Sequence, residues 1–190
     1  MKYALGTIVG TALLGLAKAK SGAKNKYAPK KIEDIYTLSP QEKAEITILN
    51  LSRMGLTWLP DDIFDGFTNL EKLYLYENQL TELPQSIGNL TNLKYLYLYE
   101  NQLTELPESI GNLTNLEDLV LYFNQLTELP ESIGNLTKLE YLGLERNNWK
   151  KPVPKEIIFK MIRNRINRNV VEKIIEMNNS IPNKSNLRLR

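Results

Sequence analysis

LTELPQSIGNLTNLKYLYLYENQ, residues 80–102, is followed without a break by two close copies of itself. The copies are LTELPESIGNLTNLEDLVLYFNQ at 103–125 and LTELPESIGNLTKLEYLGLERNN at 126–148, so the sequence repeats every 23 residues. A fixed period in this range is typical of a solenoid, in which each unit buries its apolar side only against its neighbours. The sequence therefore predicts a protein whose stacked repeats form one continuous surface, and function is expected on that surface.

Each repeat predicts a strand, a turn and a return segment. In Leu73-Tyr74-Leu75-Tyr76 the apolar period is two, which places the leucines on the core side and the tyrosines on the opposite side. An asparagine follows each strand, where its amide can bond backbone groups that the turn leaves unpaired: Asn78, Asn101, Asn124 and Asn147. Proline cannot donate to a strand ladder, so the return path is expected to begin at Pro84, Pro107 and Pro130. The core is then closed by Ile87, Ile110 and Ile133.

The wording of the repeat also carries a family resemblance. The pattern LxxLxLxxNxL occurs at Leu70, Leu73, Leu75, Asn78 and Leu80, and again one and two periods later. This resembles leucine-rich repeat proteins of the 23-residue LPxxIGxLxxLxxLxLxxN type, similar to scaffold-like repeats of intracellular Ras-binding, plant and bacterial proteins. The resemblance covers residues 46–149. It implies an α/β solenoid, a horseshoe segment with a parallel sheet on its concave side, and partner binding as the usual activity.

The ends of the array, residues 37–149, depart from the consensus, as terminal units of a solenoid do. Upstream, Met54 stands where asparagine is expected, and one extra residue lies between Pro60 and Leu70. Downstream, Trp149 replaces a leucine. With these divergent units included, we predict about five coils, above the roughly three that stability needs.

Residues 150–178 are predicted to be a C-terminal capping helix. Within 154–178 the apolar side chains recur every four residues, at Ile158, Ile162, Ile166, Val170 and Ile174. This spacing predicts one amphipathic helix whose apolar stripe seals the last coil. A helix that docks on a membrane surface or on a partner is the alternative. Residues 179–190 are expected to form a basic tail.

The N-terminal residues 1–19 have the features of a secretory signal peptide. Lys2 is followed by a mostly apolar run from Tyr3 to Ala17, and small residues flank Lys18 at a predicted cleavage site, so the mature chain is expected to begin near Lys20. An uncleaved anchor and a simple N-terminal apolar helix are the alternatives. Residues 20–36 are basic and poor in apolar side chains, which predicts a flexible linker. Export to the cell envelope is therefore expected, with a cytoplasmic location as the alternative.

Charge is unevenly distributed along the chain. Residues 1–36 hold seven Lys and Arg against two acids, residues 37–149 hold six against seventeen, and residues 150–190 hold eleven against three. The overall net charge of +2 therefore hides an acidic array between basic ends. Nucleic acid is not expected along the array because a phosphate backbone needs a continuous basic track. The cap helix carries Lys160, Arg163, Arg165, Arg168 and Lys173, which could contact acidic lipid or RNA or form a solvated face.

Composition argues against catalysis. The chain has no His and no Cys, so it has no imidazole base, no thiolate and no usual zinc ligand set. It also has no disulfide-stapled end caps of the kind that eukaryotic extracellular members of the family have. The glutamates recur at the repeat period, as a solvated surface would, and no phosphate-binding glycine loop occurs. We therefore expect no enzyme activity, no cofactor and no metal site.

The outward positions of the strands are the candidate site. Aligned repeats give three columns: Ser52, Tyr76, Tyr99, Tyr122 and Glu145; Asn50, Tyr74, Tyr97, Val120 and Gly143; Ile48, Lys72, Tyr95, Asp118 and Tyr141. Seven of the ten tyrosines are therefore predicted on the concave side, where strands about 4.8 Å apart would align them. The predicted partner-binding residues are Tyr74, Tyr76, Glu77, Tyr95, Tyr97, Tyr99, Glu100, Tyr122, Phe123 and Tyr141.

Three uses of this aromatic surface stay open. A protein or peptide partner is favoured because tyrosine offers large, stiff contact area with a polar tip, and a basic partner would suit the acidic array. A glycan or cell-wall polymer is the runner-up because sugar rings also stack on aromatic faces. The third is a structural spacer, in which tyrosine is simply a good outward strand residue that repeat duplication has multiplied.

Overall fold

The computed structural model describes residues 26–181 and contains one six-stranded parallel sheet in them. Each strand pairs with the next along the chain, in the order β1 to β6. The strands are β1 Lys26–Tyr27, β2 Ile48–Asn50, β3 Lys72–Tyr74, β4 Tyr95–Tyr97, β5 Asp118–Val120 and β6 Tyr141–Gly143. The sheet is open, because β1 and β6 lie at opposite edges. The predicted α/β solenoid with a parallel sheet is confirmed.

Three short 3₁₀ helices form the return side of the central coils, at Gln85–Asn89, Glu108–Asn112 and Glu131–Asn135. Each begins directly after the proline of its repeat, whose backbone is extended. The isoleucine of each helix is fully buried and closes the core opposite the strand leucines: Ile87, Ile110 and Ile133. The return path predicted from proline and isoleucine is therefore confirmed.

The asparagines form the predicted ladder through the coils. The Asn101 amide nitrogen donates to the carbonyl of Leu75 at 2.9 Å and to that of Leu98 at 3.1 Å. Its oxygen accepts from the N–H of Leu80 at 3.1 Å. One side chain therefore satisfies three backbone groups from two coils. Met54 replaces the first asparagine of this ladder, and the Leu51 carbonyl three residues before it accepts instead from the Asn78 amide at 2.9 Å.

The return helices approach one another through glycine. A Cβ on Gly88 would lie 2.6 Å from the Ser109 carbonyl oxygen, and a Cβ on Gly111 would lie 2.5 Å from the Ser132 Cβ. Both distances are far below van der Waals contact, so only glycine fits where one coil meets the next. At Gly134 the neighbour is instead Ile157, whose Cγ2 lies 3.0 Å from the same point. The C-terminal segment therefore takes the place of one further coil.

The predicted linker at 20–36 is wrong for the part that the structure describes. β1 pairs in parallel with β2, so the sheet has six strands and not the five predicted. A 3₁₀ helix follows at Ile32–Thr37 and then α1, Pro40–Glu45, which Ser39 and Glu42 cap reciprocally. The few apolar side chains are well placed: Ile35 is fully buried, with Tyr27 packed beside the core. The predicted signal segment, 1–19, and residues 20–25 lie outside the described residues.

The single C-terminal helix predicted over 154–178 is also wrong. The segment forms α2, Lys155–Arg163, and α3, Arg168–Ser180. Between them Arg165 has a left-handed backbone with φ of 56°, and the Asn167 side chain accepts from the N–H of Asn169 to start α3. The four-residue apolar series runs across this break because Ile166 is buried in the turn itself. A periodic pattern alone does not reveal such a break.

The two helices pack on the last coil, but not with the full stripe that the sequence predicts. Met161 is fully buried whereas Ile162, a member of the predicted stripe, is 53% exposed. Ile158, Ile166, Val170 and Ile174 are buried as expected, and the strand leucines beneath them, Leu142 and Leu144, are covered. Ion pairs join Lys151 to Glu128 and Lys173 to Glu145. Across residues 26–181, we find no helix with the length and apolarity that a membrane crossing requires.

Candidate partner-binding face

The strand register aligns the concave side chains as the sequence predicts. Lys72, Tyr95, Asp118 and Tyr141 are successive partners across β3 to β6, and so are Tyr74, Tyr97, Val120 and Gly143. Beyond the strands the ladder continues, since the N–H of Glu77 donates to the Tyr99 carbonyl at 3.0 Å. This bond holds Tyr76 and Tyr99 in adjacent positions of the next column. The leucine between each pair of columns is buried, so the alternation of strands alone orients the tyrosines outward.

Five tyrosines stack in two rows, which we call the tyrosine strip: Tyr74, Tyr76, Tyr97, Tyr99 and Tyr122. The ring centroids of Tyr74 and Tyr97 are 5.1 Å apart with their planes at 6°, and those of Tyr76 and Tyr99 are 4.6 Å apart at 4°. Tyr122 continues the second row, 5.0 Å from Tyr99. The rows meet edge to face between Tyr74 and Tyr76. Within each row, the ring faces that neighbours share are therefore closed to solvent.

The ends of the second row are also covered. At one end the Arg53 guanidinium lies 5.6 Å from the Tyr76 ring centroid and pairs with Glu77 at 2.5 Å. At the other end Tyr122 leans towards Gly143, where a Cβ would lie only 3.1 Å from its ring. The outer side of the first row borders a shallow hollow of about 230 Å³, lined by Lys26, Ile48, Asn50, Tyr74 and Tyr76.

A fourth column runs beside the tyrosine strip and shares an unusual backbone. Arg53, Glu77, Glu100, Phe123 and Arg146 all have left-handed conformations, with φ from 54° to 61°. Each of them directly precedes the residue that occupies the asparagine position of its coil. Side chains in this column therefore do not follow the inward and outward alternation of the strands. Phe123 contacts Tyr122 edge to face, and the Arg146 guanidinium lies 5.5 Å from its ring centroid.

Sequence reasoning missed Arg53 and Arg146 as members of this column, although it placed Glu77, Glu100 and Phe123 there. The sequence did contain the information, because aligning the residue before each asparagine position of the repeats identifies both arginines. Their effect on the site is electrostatic. Arg53 neutralises Glu77, which was expected to attract a partner, whereas Glu100 is exposed and has no ion pair among the described residues.

The remaining predicted tyrosines lie outside the stacked rows. Lys72 places its ammonium 4.3 Å from the centroid of the Tyr95 ring, whose hydroxyl donates to Glu117 at 2.7 Å. That hydrogen bond raises the pKa of Tyr95 to about 12. Tyr141 stands at the far edge of the sheet and is 49% exposed. The structure therefore groups five of the seven predicted tyrosines and leaves these two in the neighbouring column.

The surroundings of three tyrosines on this face disfavour ionisation, so their hydroxyl groups stay hydrogen-bond donors. Burial, more than the neighbouring charges and rings, raises the pKa of Tyr97, of Tyr99 and of Tyr122. Burial and the nearby Glu117 also raise the pKa of Asp118. At neutral pH these three tyrosines therefore present neutral hydroxyl groups. Among residues 26–181 no cluster of three or more His, Cys, Asp or Glu side chains could hold a metal ion.

Comparison with known proteins places this geometry in a family. A family model described as a leucine-rich repeat region matches residues 43–123 and 85–163. The chain belongs to the leucine-rich repeat proteins. Members of this family generally use the fold for binding and not for catalysis. No curated protein sequence matches the chain.

Solved structures with the same fold come from bacteria and plants. A leucine-rich repeat protein of Leptospira interrogans, LIC12759, is 39% identical with a TM-score of 0.59 and covers 64% of this chain. The ectodomain of the receptor kinase GASSHO1/SCHENGEN3 of Arabidopsis thaliana, in complex with CASPARIAN STRIP INTEGRITY FACTOR 2, is 30% identical over 62% of the chain, with a TM-score of 0.55. The PEPR1–AtPEP1 structure is 38% identical over 63%, also with a TM-score of 0.55. The matches span 30%, 14% and 18% of those proteins.

Proposed function

We propose that this chain binds a protein or peptide partner on its concave face and that the tyrosine strip forms the centre of the contact. One observation carries the proposal. Five aromatic rings stack in register on the open side of the sheet, although no described residue packs over that side as a lid. Rings held in place by one another lose little conformational freedom on binding, so their contact area is converted efficiently into affinity.

The way the rings are presented favours a polypeptide over a glycan. Sugars bind aromatic side chains by lying flat on a ring face, and within each row the stacked rings cover one another's facing sides. The exposed edges and neutral hydroxyls can instead donate to, and accept from, the backbone groups of a bound chain. The plant structure that contains CASPARIAN STRIP INTEGRITY FACTOR 2 supports the same class of partner. Tyr141, half exposed beside the strip, is the ring best placed for a sugar.

The charges around the strip favour a partner with basic side chains. Residues 37–149 carry seventeen acids against six Lys and Arg. Close to the strip, Glu100 is exposed and has no ion pair among residues 26–181, whereas Glu77 and Glu145 are paired. We therefore assign Glu100 the main role in attracting a cation on the partner. Such exposed charges act chiefly on the rate of association.

Capture from a lysate of the native host tests the proposal. The full chain and its Tyr76→Ala/Tyr99→Ala variant serve as baits, with Asn89→Ala/Asn112→Ala on the return side as the matched control. We expect the parent and the control to retain one protein that the tyrosine variant loses. Calorimetry with that protein should then show a loss of about 1–3 kcal/mol per tyrosine, since central aromatic residues dominate interfaces. Glu100→Lys should slow association more than it speeds dissociation.

Two outcomes would reject the proposal. Equal binding by the parent and the folded tyrosine variant would move the site off the strip and favour the spacer reading. Retention of cell-wall oligosaccharides, lost in the tyrosine variant, with no protein captured, would favour the glycan.

Export remains a separate proposal, since it rests on residues outside the described part of the chain. The intact mass of the protein isolated from its native host decides it. A mass that corresponds to a chain starting at Lys20 is expected, and recovery of the full chain from cytosol would contradict it.

A further inference from the structure

The outer side of α2 carries apolar side chains that no other part of the described chain covers. α2 has nine residues and buries Ile158 and Met161 against the last coil. On the adjoining, outward side of the helix Phe159 is 60% exposed and Ile162 is 53% exposed. Residues three and four apart share one side of a helix, so Lys155, Phe159, Ile162 and Arg163 form one continuous surface. We call these four residues, with the adjoining Arg165, the α2 outer face.

The cations of this face differ from four other cations of the cap. Lys155, Arg163 and Arg165 are exposed and form no ion pair among the described residues. By contrast, Lys151 and Lys173 pair with glutamates of the array, Arg168 pairs with Glu172, and Lys160 donates to Asn135. The cap therefore uses some of its basic residues to dock on its own array and leaves three around an exposed phenylalanine. Glu156 is the acid on the same helix.

We propose that the α2 outer face docks on an anionic lipid surface. An aromatic and a branched apolar side chain that project from a helix and are ringed by cations fit an interface of acyl chains below acidic headgroups. Protein partners, in contrast, usually receive such anchors in pockets of complementary shape, and membranes need no such match. The charge of the array agrees, because it holds eleven more acids than bases and an anionic surface would repel it. Contact through the basic C-terminal end keeps the array away from the membrane and leaves the concave face free.

Vesicle binding tests this inference with the full chain. The probes are vesicles of phosphatidylcholine alone and of phosphatidylcholine mixed with phosphatidylglycerol. Phe159→Ser/Arg163→Glu is the test variant, and Trp58→Ser/Lys138→Glu is matched to it, because it also removes one exposed aromatic ring and reverses one exposed cation. All proteins keep residues 1–25, so differences between them report the α2 outer face and not the apolar N-terminal segment.

We expect the parent and the matched control to bind the mixed vesicles more tightly than phosphatidylcholine alone, and added salt to weaken that binding. The test variant should lose about tenfold or more in partition coefficient, since each Lys or Arg near an anionic surface contributes about a factor of five. Arg163→Glu/Arg165→Glu, which keeps both apolar side chains, should lose a similar factor. Far-ultraviolet circular dichroism verifies that each variant is folded. Tyr76→Ala/Tyr99→Ala should bind the vesicles like the parent, which separates this proposal from that for the concave face.

Equal binding of mixed vesicles by the parent and both charge variants would overturn the inference. So would equal binding to vesicles with and without phosphatidylglycerol. Sedimentation of the parent as a salt-sensitive oligomer that Phe159→Ser/Arg163→Glu abolishes, without vesicle binding, would show that the face docks on the acidic array of a second copy.

Discussion

The two sides of the coils both repeat every 23 residues, yet they are constrained very differently. On the return side, the coils meet at Gly88 and Gly111, where a Cβ would lie 2.7 Å or less from the next coil. On the concave side, tyrosine rings stack 4.6–5.1 Å apart with solvent above them. The return side therefore sets the spacing of the coils, and the concave side holds side chains from glycine to tyrosine at that spacing.

The residues found in each column agree with this difference. One concave column contains Asn50, two tyrosines, Val120 and Gly143 without any break in the strand register. The return column is glycine in three successive coils. Where the repeats end, α2 still meets Gly134 closely, through Ile157. Side chains can thus change on the concave face while the return side keeps the fold.

The largest effect of a single substitution is expected inside the core that both sides share. Asn101→Ala should lower the free energy of unfolding by about 3–5 kcal/mol, because it leaves three backbone groups without their bonds and each unsatisfied buried group costs about 1–3 kcal/mol. Urea denaturation measures this. Asn89→Ala, at an exposed position of the same repeat, should change stability by less than about 0.5 kcal/mol. A loss below 1 kcal/mol at Asn101 would show that the ladder is not essential.

The next effect distinguishes the observed cap from the one predicted by periodicity. Met161→Ala should cost about 2–4 kcal/mol, because it opens a cavity in a fully buried site. Ile162→Ala should cost less than about 1 kcal/mol, since the side chain is 53% exposed. Thermal unfolding of the two variants side by side gives the order. A larger loss for Ile162 would restore the continuous stripe and contradict the break between α2 and α3.

On the return side, a substitution is expected to leave the free energy of unfolding unchanged or to raise it slightly. The hydroxyl groups of Ser86, Ser109 and Ser132 are buried and have no hydrogen-bond partner among the described residues. Removing one such group relieves its desolvation cost, so Ser109→Ala should leave stability unchanged or raise it by up to about 1 kcal/mol. Urea denaturation again measures the change. Marked destabilisation would mean that the hydroxyl is bonded after all, through water.

Much of the fold was predictable because one repeat specifies it locally. Each repeat contains an alternating strand, an asparagine after it and a proline at the return, and each of these features predicts one local structure. Because the repeats are in register, the strand residues then define the concave columns. The ends were not predictable in the same way. The charged residues around Ile35 favoured a linker, although Ile35 is fully buried and Ile32 and Leu38 pack against the core. The turn around Arg165 preserves the apolar spacing that a single helix would show.

For the candidate site, the columns were predictable and the ring geometry was not. Which face a tyrosine presents depends on side-chain torsions that the sequence does not constrain. The mutual stacking of Tyr76 and Tyr99 was therefore visible only in the structure. The pairing of Arg53 with Glu77 likewise depends on a left-handed backbone at both residues. These features decide which atoms of the site are available to a partner.

One measurement tests the division between the two sides most directly. Urea unfolding is compared for Tyr76→Ala/Tyr99→Ala and for Gly88→Val/Gly111→Val, which alter the two sides of neighbouring coils. The tyrosine pair should lose no more than about 2 kcal/mol, the worth of a few aromatic contacts, and unfold cooperatively. The glycine pair should lose about 4–6 kcal/mol, or fail to fold, because the added carbons overlap the next coil. A tyrosine variant that unfolds more readily than the glycine variant would contradict the account.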